Sequence, residues 1–519
     1  MPHNARIHRE TSSPPADKLP TWLWLLLGIA TVALAANRWG VALLGWIAPV
    51  PFLVVARRMA GWRRWLVFFG VTCTAGLLAT AKIITDPVHP ALSLLFGIPA
   101  GISIWLMIYA TEKIRRAKGE LTAVYAFAAI VTVVDWFGYS VARQGIWGTM
   151  PASQLDNLPL LQLVSLGGLG LVSFIMAWFA ATVAVLIGSD QRRRIHPHLY
   201  AAAAMITAAH AWGAWRLDRL PPMKTVTVGG VVTDLGLRDG FPSREALARN
   251  VDELFARSAV AASRGAALVA WNEVATLLME KGEEASLKER AARFAREHGV
   301  DFVMAYGVVL SRAPLSFDNK YVWYGPDGRE IETYRKHHPV PGEPSLRGTD
   351  PIRVNARPWG RAAGAICYDY DNPGIVREHS RGGADLVVLP SSDWRGIDPL
   401  HTLMTRVSAI QGGFSVVRPV RWATSMAFDQ YGRVRASMSA WEDNDRIIMA
   451  TVPVGQVPTL YRLLGEWPPL LCGLFLLLLS AGAVRSFVRA KQAGKKTRHD
   501  RVKQHFDIKN KGVEILYYR

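Results

Sequence analysis

A chain of 519 residues is too long for one ordinary domain and implies two or three. Half of it is hydrophobic and 19% is charged, which excludes a disordered protein and is high for a purely soluble one. Lys and Arg number 60 against 41 Asp and Glu, a net charge of +19 that fits either nucleic-acid binding or the cytoplasmic loops of a membrane protein.

Residues 1–20 read as a basic tail with Arg6, Arg9 and Lys18. Apolar stretches almost free of charge follow at 21–36, 41–56, 65–81, 91–110, 121–141, 160–187 and 199–215. Each approaches or exceeds the roughly 20 residues that cross about 30 Å of hydrocarbon. They predict a seven-span membrane domain over 21–219. An eighth span is expected at 468–484, and a basic tail with Arg485, Arg489, Lys491, Lys495 and Lys496 occupies 485–519.

The loops decide what the charge means. Arg57, Arg58, Arg63 and Arg64 lie between spans two and three; Lys113, Arg115, Arg116 and Lys118 between four and five; Arg192, Arg193 and Arg194 between six and seven. The alternate loops hold Arg38, Lys82 and Arg143, one each. Cytoplasmic loops carry the Lys/Arg excess, so both termini are expected inside and the segment between spans seven and eight outside. The loops account for the charge, and nucleic acid drops out as a partner. With no small-residue cleavage site, the first span is expected to remain as an anchor.

Leu220-Pro221-Pro222 marks a boundary, after which helix-length runs give way to short β-rich ones. Strands are expected at 225–233, 267–271, 301–309, 362–367 and 384–390, and helices at 244–262 and 285–297. Hairpin turns are expected at 324–328 and 429–432. Strands alternating with helices predict an α/β layered domain over 224–454.

Cys73 and Cys472 fall in apolar spans, leaving Cys367 as the one cysteine of the outer domain. Three cysteines make neither a disulfide framework nor a four-cysteine zinc site. At the end of an apolar strand, Cys367 reads either as a small buried hydrophobe or as a nucleophile. Glu273 follows the strand 267–271 and Lys336 follows a hairpin strand; singly, each reads as a solvated charge. Together, the three form a kit for acyl transfer. A thiol of pKa ~8.5 needs a nearby base, and a lysine favours the thiolate and stabilises an oxyanion. His337-His338 lacks an HExxH pattern or an acidic partner at ligand spacing, so no metal is expected there. Asp135, in an apolar run near the outer interface, reads either as functional or as hydrated or paired with Arg143.

The order Glu273, Lys336, Cys367 resembles the triad of the nitrilase superfamily over roughly 224–454. So do Asn319 ahead of Pro326-Asp327-Gly328, the run ending Val340-Pro341-Gly342-Glu343, and Leu389-Pro390-Ser391-Ser392-Asp393-Trp394. With seven spans before and one after, and with Asp135-Trp136 and Gly145-Ile146-Trp147 in the membrane part, the chain is similar to the apolipoprotein N-acyltransferase family, as a diverged member.

That resemblance implies a multi-pass α-helical membrane bundle (7+1 spans) joined to a nitrilase-like α/β sandwich, in a bacterial inner membrane. It implies Cys367 as nucleophile, Glu273 as general base, Lys336 as oxyanion-stabilising cation, Glu343 as a second carboxylate, and Tyr368 lining the acyl-enzyme site. The implied substrates are a phospholipid acyl donor and a diacylglyceryl-cysteine lipoprotein acceptor, with no cofactor and no metal. Eight spans weigh against a membrane-tethered amidase of a small C–N substrate, for which one anchor would suffice. Departures from the family are Asp369 where Glu usually follows Cys-Tyr, Ile146 for Pro, Gln411 for Glu, and Arg421-Trp422 where Asn is usual.

Overall fold

The computed structural model describes residues 19–189, 192–219, 223–236, 240–280, 282–482 and 485. The Leu220-Pro221-Pro222 boundary, the tail before residue 19 and the basic tail after Arg485 lie outside them. The chain forms two compact units, the second beginning at Leu470.

Helix underlies every apolar stretch expected before residue 219. Trp62–Ala81, Leu92–Lys118, Glu120–Val141 and Val164–Gly188 are long and apolar enough to cross a membrane. Thr21–Ala35, Ala42–Ala56 and Trp467–Gly482 are apolar but shorter. The stretch expected at 41–56 divides into Ala42–Gly45 and Val50–Ala56. Pro49 and Pro51 explain the division, since proline lacks an N–H and disfavours helix in the residue before it. Arg192–Asp218 is long but begins with arginines and carries His196, His198 and His210, which dilute its hydropathy. Length and composition thus support four spans among the described residues, fewer than the seven plus one expected.

The α/β domain is two sheets face to face. One runs Ile447–Val454, Lys224–Val231, Leu268–Trp271, Asp301–Arg312, Leu315–Tyr324, Glu330–Arg335, with Leu277–Leu278 also on Asp301–Arg312. The other runs Val434–Ser439, Thr424–Phe428, Ser415–Arg418, Leu386–Val388, Gly360–Gly364, Asn355–Arg357. Strand periodicity sorts side chains to opposite faces. Val303, Ala305, Tyr321 and Trp323 enter the core between the sheets with Val387, Val416 and Ala427. The alternate residues Phe302, Met304, Tyr306 and Val322 pack outward against Leu254, Phe255, Leu287 and Phe294.

Those last four belong to the helices Arg244–Ser263 and Glu283–His298. The second shows why it forms where it does. Glu283 and Glu284 open it, Arg296 and His298 close it, and Gly299 in the left-handed region ends it. Acidic first and basic last turns complement the helix dipole, and glycine takes the left-handed cap without strain.

The strand expected at 362–367 stops at Gly364, and Cys367–Asp371 forms a 3-10 turn instead. Short strands at Asn355–Arg357, Ser391–Ser392 and Val420–Arg421 had no signal in the sequence pattern. The bundle meets this domain through an apolar cluster in which Leu160, Val172, Ile175 and Met176 pack with Met404, Val407 and Ile410 of the helix Leu400–Gly412. Gln162 donates to the Tyr431 carbonyl at 3.0 Å, and Trp394 donates to the Ile83 carbonyl at 2.7 Å.

Candidate active site

Three sharp turns at strand ends build the site. The strand Leu268–Trp271 pairs in parallel on both sides, and Glu273 follows it. Asn272 fixes this turn, accepting from the Thr233 N–H at 2.9 Å and donating to the Glu273 carbonyl at 2.8 Å. Val274 then adopts φ of +46° and Cys367 φ of +47°. For a β-branched valine and a cysteine these are strained conformations, persisting only where surroundings over-determine them. The Cys367 N–H is held by the Pro390 carbonyl at 2.9 Å. Lys336 follows the strand Glu330–Arg335, its N–H donating to the Asn319 carbonyl at 2.9 Å.

Four of the side chains singled out in the sequence converge. Lys336 Nζ lies 2.7 Å from Glu273 Oε1 and 2.6 Å from Glu343 Oε2. Asn319 Nδ2 donates to Glu273 at 2.8 Å and to Glu343 at 3.1 Å. Glu343 is steadied by the Val340 N–H at 2.9 Å and Ser345 Oγ at 2.8 Å. Glu273, Lys336 and Cys367 are all buried. The contacts of Cys367 Sγ are the Ser392 carbonyl at 3.7 Å, Asp393 Oδ1 at 4.0 Å and Arg418 Nη2 at 4.0 Å.

Burial and charge set the protonation states. Burial pushes the Glu273 carboxyl up, against the attraction of Lys336. Burial alone would lower Lys336, but Glu273 and Glu343 more than offset it and hold it as an ammonium. Burial likewise opposes ionisation of Glu343, yet the Lys336 charge and hydrogen bonds keep it below the ordinary value. The Cys367 thiol is pushed well up, by burial first and then by the Glu273 charge, while Lys336 and Arg418 oppose the rise. At rest, the sulfur is therefore a thiol within the electrostatic reach of a carboxylate of raised proton affinity, and general-base activation requires such a pairing.

Asp369 and Tyr368 stand outside this cluster. Asp369 accepts from Tyr334 Oη at 2.9 Å, the Ile366 N–H at 3.1 Å and the His338 N–H at 2.7 Å, tying the cysteine turn to the loop after Lys336. Tyr368 donates to the Arg143 carbonyl, in the loop after the third long span, at 2.7 Å. That loop touches the site a second time, where Trp147 Nε1 donates to Asp371 Oδ2 at 3.3 Å.

A second buried network had no role in the sequence reading. Arg418 Nη2 binds both oxygens of Asp393 at 3.2 and 3.3 Å. His401 reaches Asp393 through Nδ1 at 2.7 Å and Asp371 through Nε2 at 2.9 Å. Burial and Arg418 push His401 down, but Asp393 and Asp371 prevail and raise it to about 9. Asp393 stays ionised despite burial because Arg418 and His401 face it. The legible signal was Arg418 itself, a cation ending the apolar strand Ser415–Arg418 and buried completely. Cys367, Asp393 and His401 also offer ligand atoms within 4.8 Å of one another. Arg418 already supplies the positive charge there, and a metal ion would repel it.

Within the bundle lies a largely apolar cavity of about 110 Å³, lined by Phe52, Ile108, Phe127, Val131 and Met150 and by Asp135. Asp135 accepts from Ser173 Oγ at 2.7 Å; no ion pair joins it to Arg143 among the described residues.

Residues 237–461 match the carbon-nitrogen hydrolase family, and residues 28–182 match the apolipoprotein N-acyltransferase N-terminal domain. An apolipoprotein N-acyltransferase of Azotobacter vinelandii is 26% identical over 527 residues, covering 91% of this chain and 97% of that protein. One of Bradyrhizobium diazoefficiens is 26% identical over 417 residues, covering 72% and 75%. Among solved structures, an amidase from Nesterenkonia sp. aligns at 15% identity and a TM-score of 0.38, covering 45% of this chain and 92% of that one.

Proposed function

The chain belongs to the apolipoprotein N-acyltransferase family, and on that premise we propose that it moves a fatty acyl chain from a phospholipid, through a thioester on Cys367, to the N-terminal amine of a diacylglyceryl-cysteine lipoprotein. The observation that carries the proposal is the joining of two parts in one chain. A bundle loop, through the Arg143 carbonyl and Trp147, bonds to Tyr368 and Asp371 of the turn that holds a buried thiol within the electrostatic reach of Glu273 and Lys336.

In the first step Glu273 takes the thiol proton as sulfur attacks the ester carbonyl. Lys336 stabilises the developing oxyanion, and Glu273 returns the proton to the departing lysophospholipid alkoxide. In the second step the acceptor amine attacks the thioester, the amide forms, and the sulfur leaves as a thiol. Covalent catalysis divides one difficult exchange into two easier ones. Glu343 and Asn319 hold Lys336 and Glu273 in register, because fixed donors and charges act on a transition state without reorganising. Burial of the site favours transfer over hydrolysis by excluding water.

Membrane embedding suits these substrates. Each buried CH₂ contributes about 0.8 kcal/mol to anchoring, so neither double-chain lipid readily leaves the bilayer, and the thiol must come to it. The reading places the chain in a bacterial inner membrane with seven spans before the catalytic domain and one after, both termini cytoplasmic and the catalytic domain outside.

The test is to incubate the full chain with a phospholipid carrying a fluorescent acyl chain. Hydroxylamine-sensitive label on the wild type and none on Cys367→Ala is expected. Label that survives Cys367→Ala, or none on either, would refute the thioester.

A further inference from the structure

Two buried cations of this site face carboxylates: Lys336 meets Glu273 and Glu343, and Arg418 meets Asp393. Arg421 does not. It ends the short strand Val420–Arg421 and is only 5% exposed. Among the described residues, its hydrogen-bond partners are neutral. Nε and Nη2 donate to Ser392 Oγ at 3.1 and 3.0 Å, and Nη1 donates to the Leu235 carbonyl at 3.3 Å. A guanidinium has five N–H donors, so one on each terminal nitrogen is left over.

The group is fixed before any ligand arrives. Its Cζ lies over the Trp422 ring, 4.4 Å from the centroid, and Trp422 is itself held at φ of +58°. Its position relative to the nucleophile follows from Ser392, whose hydroxyl meets Arg421 while its carbonyl lies 3.7 Å from Cys367 Sγ. One residue spans the gap, putting the guanidinium within about 10 Å of the sulfur. The Glu273 charge acts on Arg421 as well, and burial pushes the guanidinium down to about 10, so it remains charged at neutral pH.

A buried cation with no anion in hydrogen-bond contact is unfavourable, and a bound anion relieves it. The planar fork of arginine matches phosphate, with two parallel donors for two oxygens. In a phospholipid the ester carbonyl lies five or six bonds from phosphorus, about 6–7 Å when extended. A lipid whose carbonyl is at Sγ thus carries its phosphate about as far from the sulfur as the range within which Arg421 lies.

We propose that Arg421, backed by Trp422, is the phosphate subsite of the acyl donor, holding the phosphodiester of a phospholipid while Cys367 attacks its ester. The proposal rests on the acyl-transfer reading above. Arg421 makes and breaks no bond; it positions the donor.

The experiment measures labelling of Cys367 by two donors with the same fluorescent acyl chain, a phosphatidylethanolamine and an uncharged p-nitrophenyl ester. The readout is the ratio of their labelling efficiencies, which cancels any general loss of folding. Arg421→Gln is expected to lower the phospholipid-to-ester ratio about tenfold or more, mainly by raising the phospholipid concentration at half-saturation. Arg421→Lys is expected to recover part of it. An unchanged ratio in Arg421→Gln, whether both donors suffer equally or neither does, overturns the subsite. A wild type labelled by the ester but not by the phospholipid overturns the acyl-donor reading itself, and the subsite falls with it.

Discussion

The indole N–H of Trp147, in a loop of the membrane bundle, donates to the carboxylate of Asp371 at 3.3 Å, four residues beyond Cys367. Asp371 in turn holds His401, which holds Asp393, whose carboxylate lies 4.0 Å from the sulfur. A chain of polar contacts therefore runs from the bundle to the Cys367 sulfur. Two residues before Trp147, Gly145 has φ of +67°, and a side chain there would run into Asp371.

Trp147→Phe keeps the aromatic packing and removes the donor. A hydrogen bond to a charged group contributes about 1.5–3 kcal/mol, so acyl transfer is expected to fall roughly tenfold or more, with a loss of folding stability no greater than that amount. Transfer at the wild-type rate would show that this contact does not position the catalytic turn.

Glu273→Gln keeps shape and removes the base, and acyl-enzyme formation is expected to drop by at least ~10²-fold. Lys336→Met should do the same and should also destabilise the fold by about 3–5 kcal/mol, because it leaves two buried carboxylates facing each other without their cation. Single-turnover labelling and thermal unfolding separate the two effects. Near-normal labelling in either variant would mean that the base or the oxyanion cation has been misassigned.

The dependence of acylation on pH follows from Glu273, which must be ionised to accept the thiol proton. Its carboxyl is raised by burial, so labelling should climb with pH along a limb whose midpoint lies above the ordinary ~4.3 of glutamate. Because the Cys367 thiol is also pushed well up, no thiolate limb should appear near pH 8.5. A midpoint at or below the ordinary glutamate value would contradict this electrostatic picture.

His401 gives a stability signature of opposite sign. Its folded-state value is about 9, against about 6.5 when unfolded. The protonated ring therefore stabilises the fold fully below pH 6.5, and that contribution fades as pH rises through 9. The loss is on the order of 3 kcal/mol. Denaturant unfolding at pH 6 and pH 9.5 should show the difference in the wild type and a smaller one in His401→Gln; equal slopes would sink the assignment of an imidazolium between two aspartates.

Much of this site was legible in the sequence because its members end strands. Glu273, Lys336 and Cys367 each terminate an apolar or alternating run, and the helices Arg244–Ser263 and Glu283–His298 were marked by amphipathic spacing and end charges. Local pattern could not reveal what depends on register between distant segments. His401 and Arg418 are seventeen residues apart in the chain and reach Asp393 only because the helix Leu400–Gly412 packs over the strand Ser415–Arg418. Asp369, which stands where the family usually has Glu, is carried by the 3-10 turn towards Tyr334 and the backbone, a placement that local pattern does not reveal. Of the expected spans, four are long and apolar enough among the described residues; prolines interrupt one of the other stretches and charged ends dilute another.

The central claim is that the acyl chain rests on Cys367 and leaves to an amine. Once the acyl-enzyme has formed on the wild type, adding a diacylglyceryl lipopeptide with a free N-terminus and measuring where the label goes decides it. Transfer of the label to the peptide amine as a hydroxylamine-resistant amide, faster than its release as free fatty acid, is the predicted result. Release as fatty acid at a rate unaffected by the peptide would make the protein a hydrolase and contradict the account.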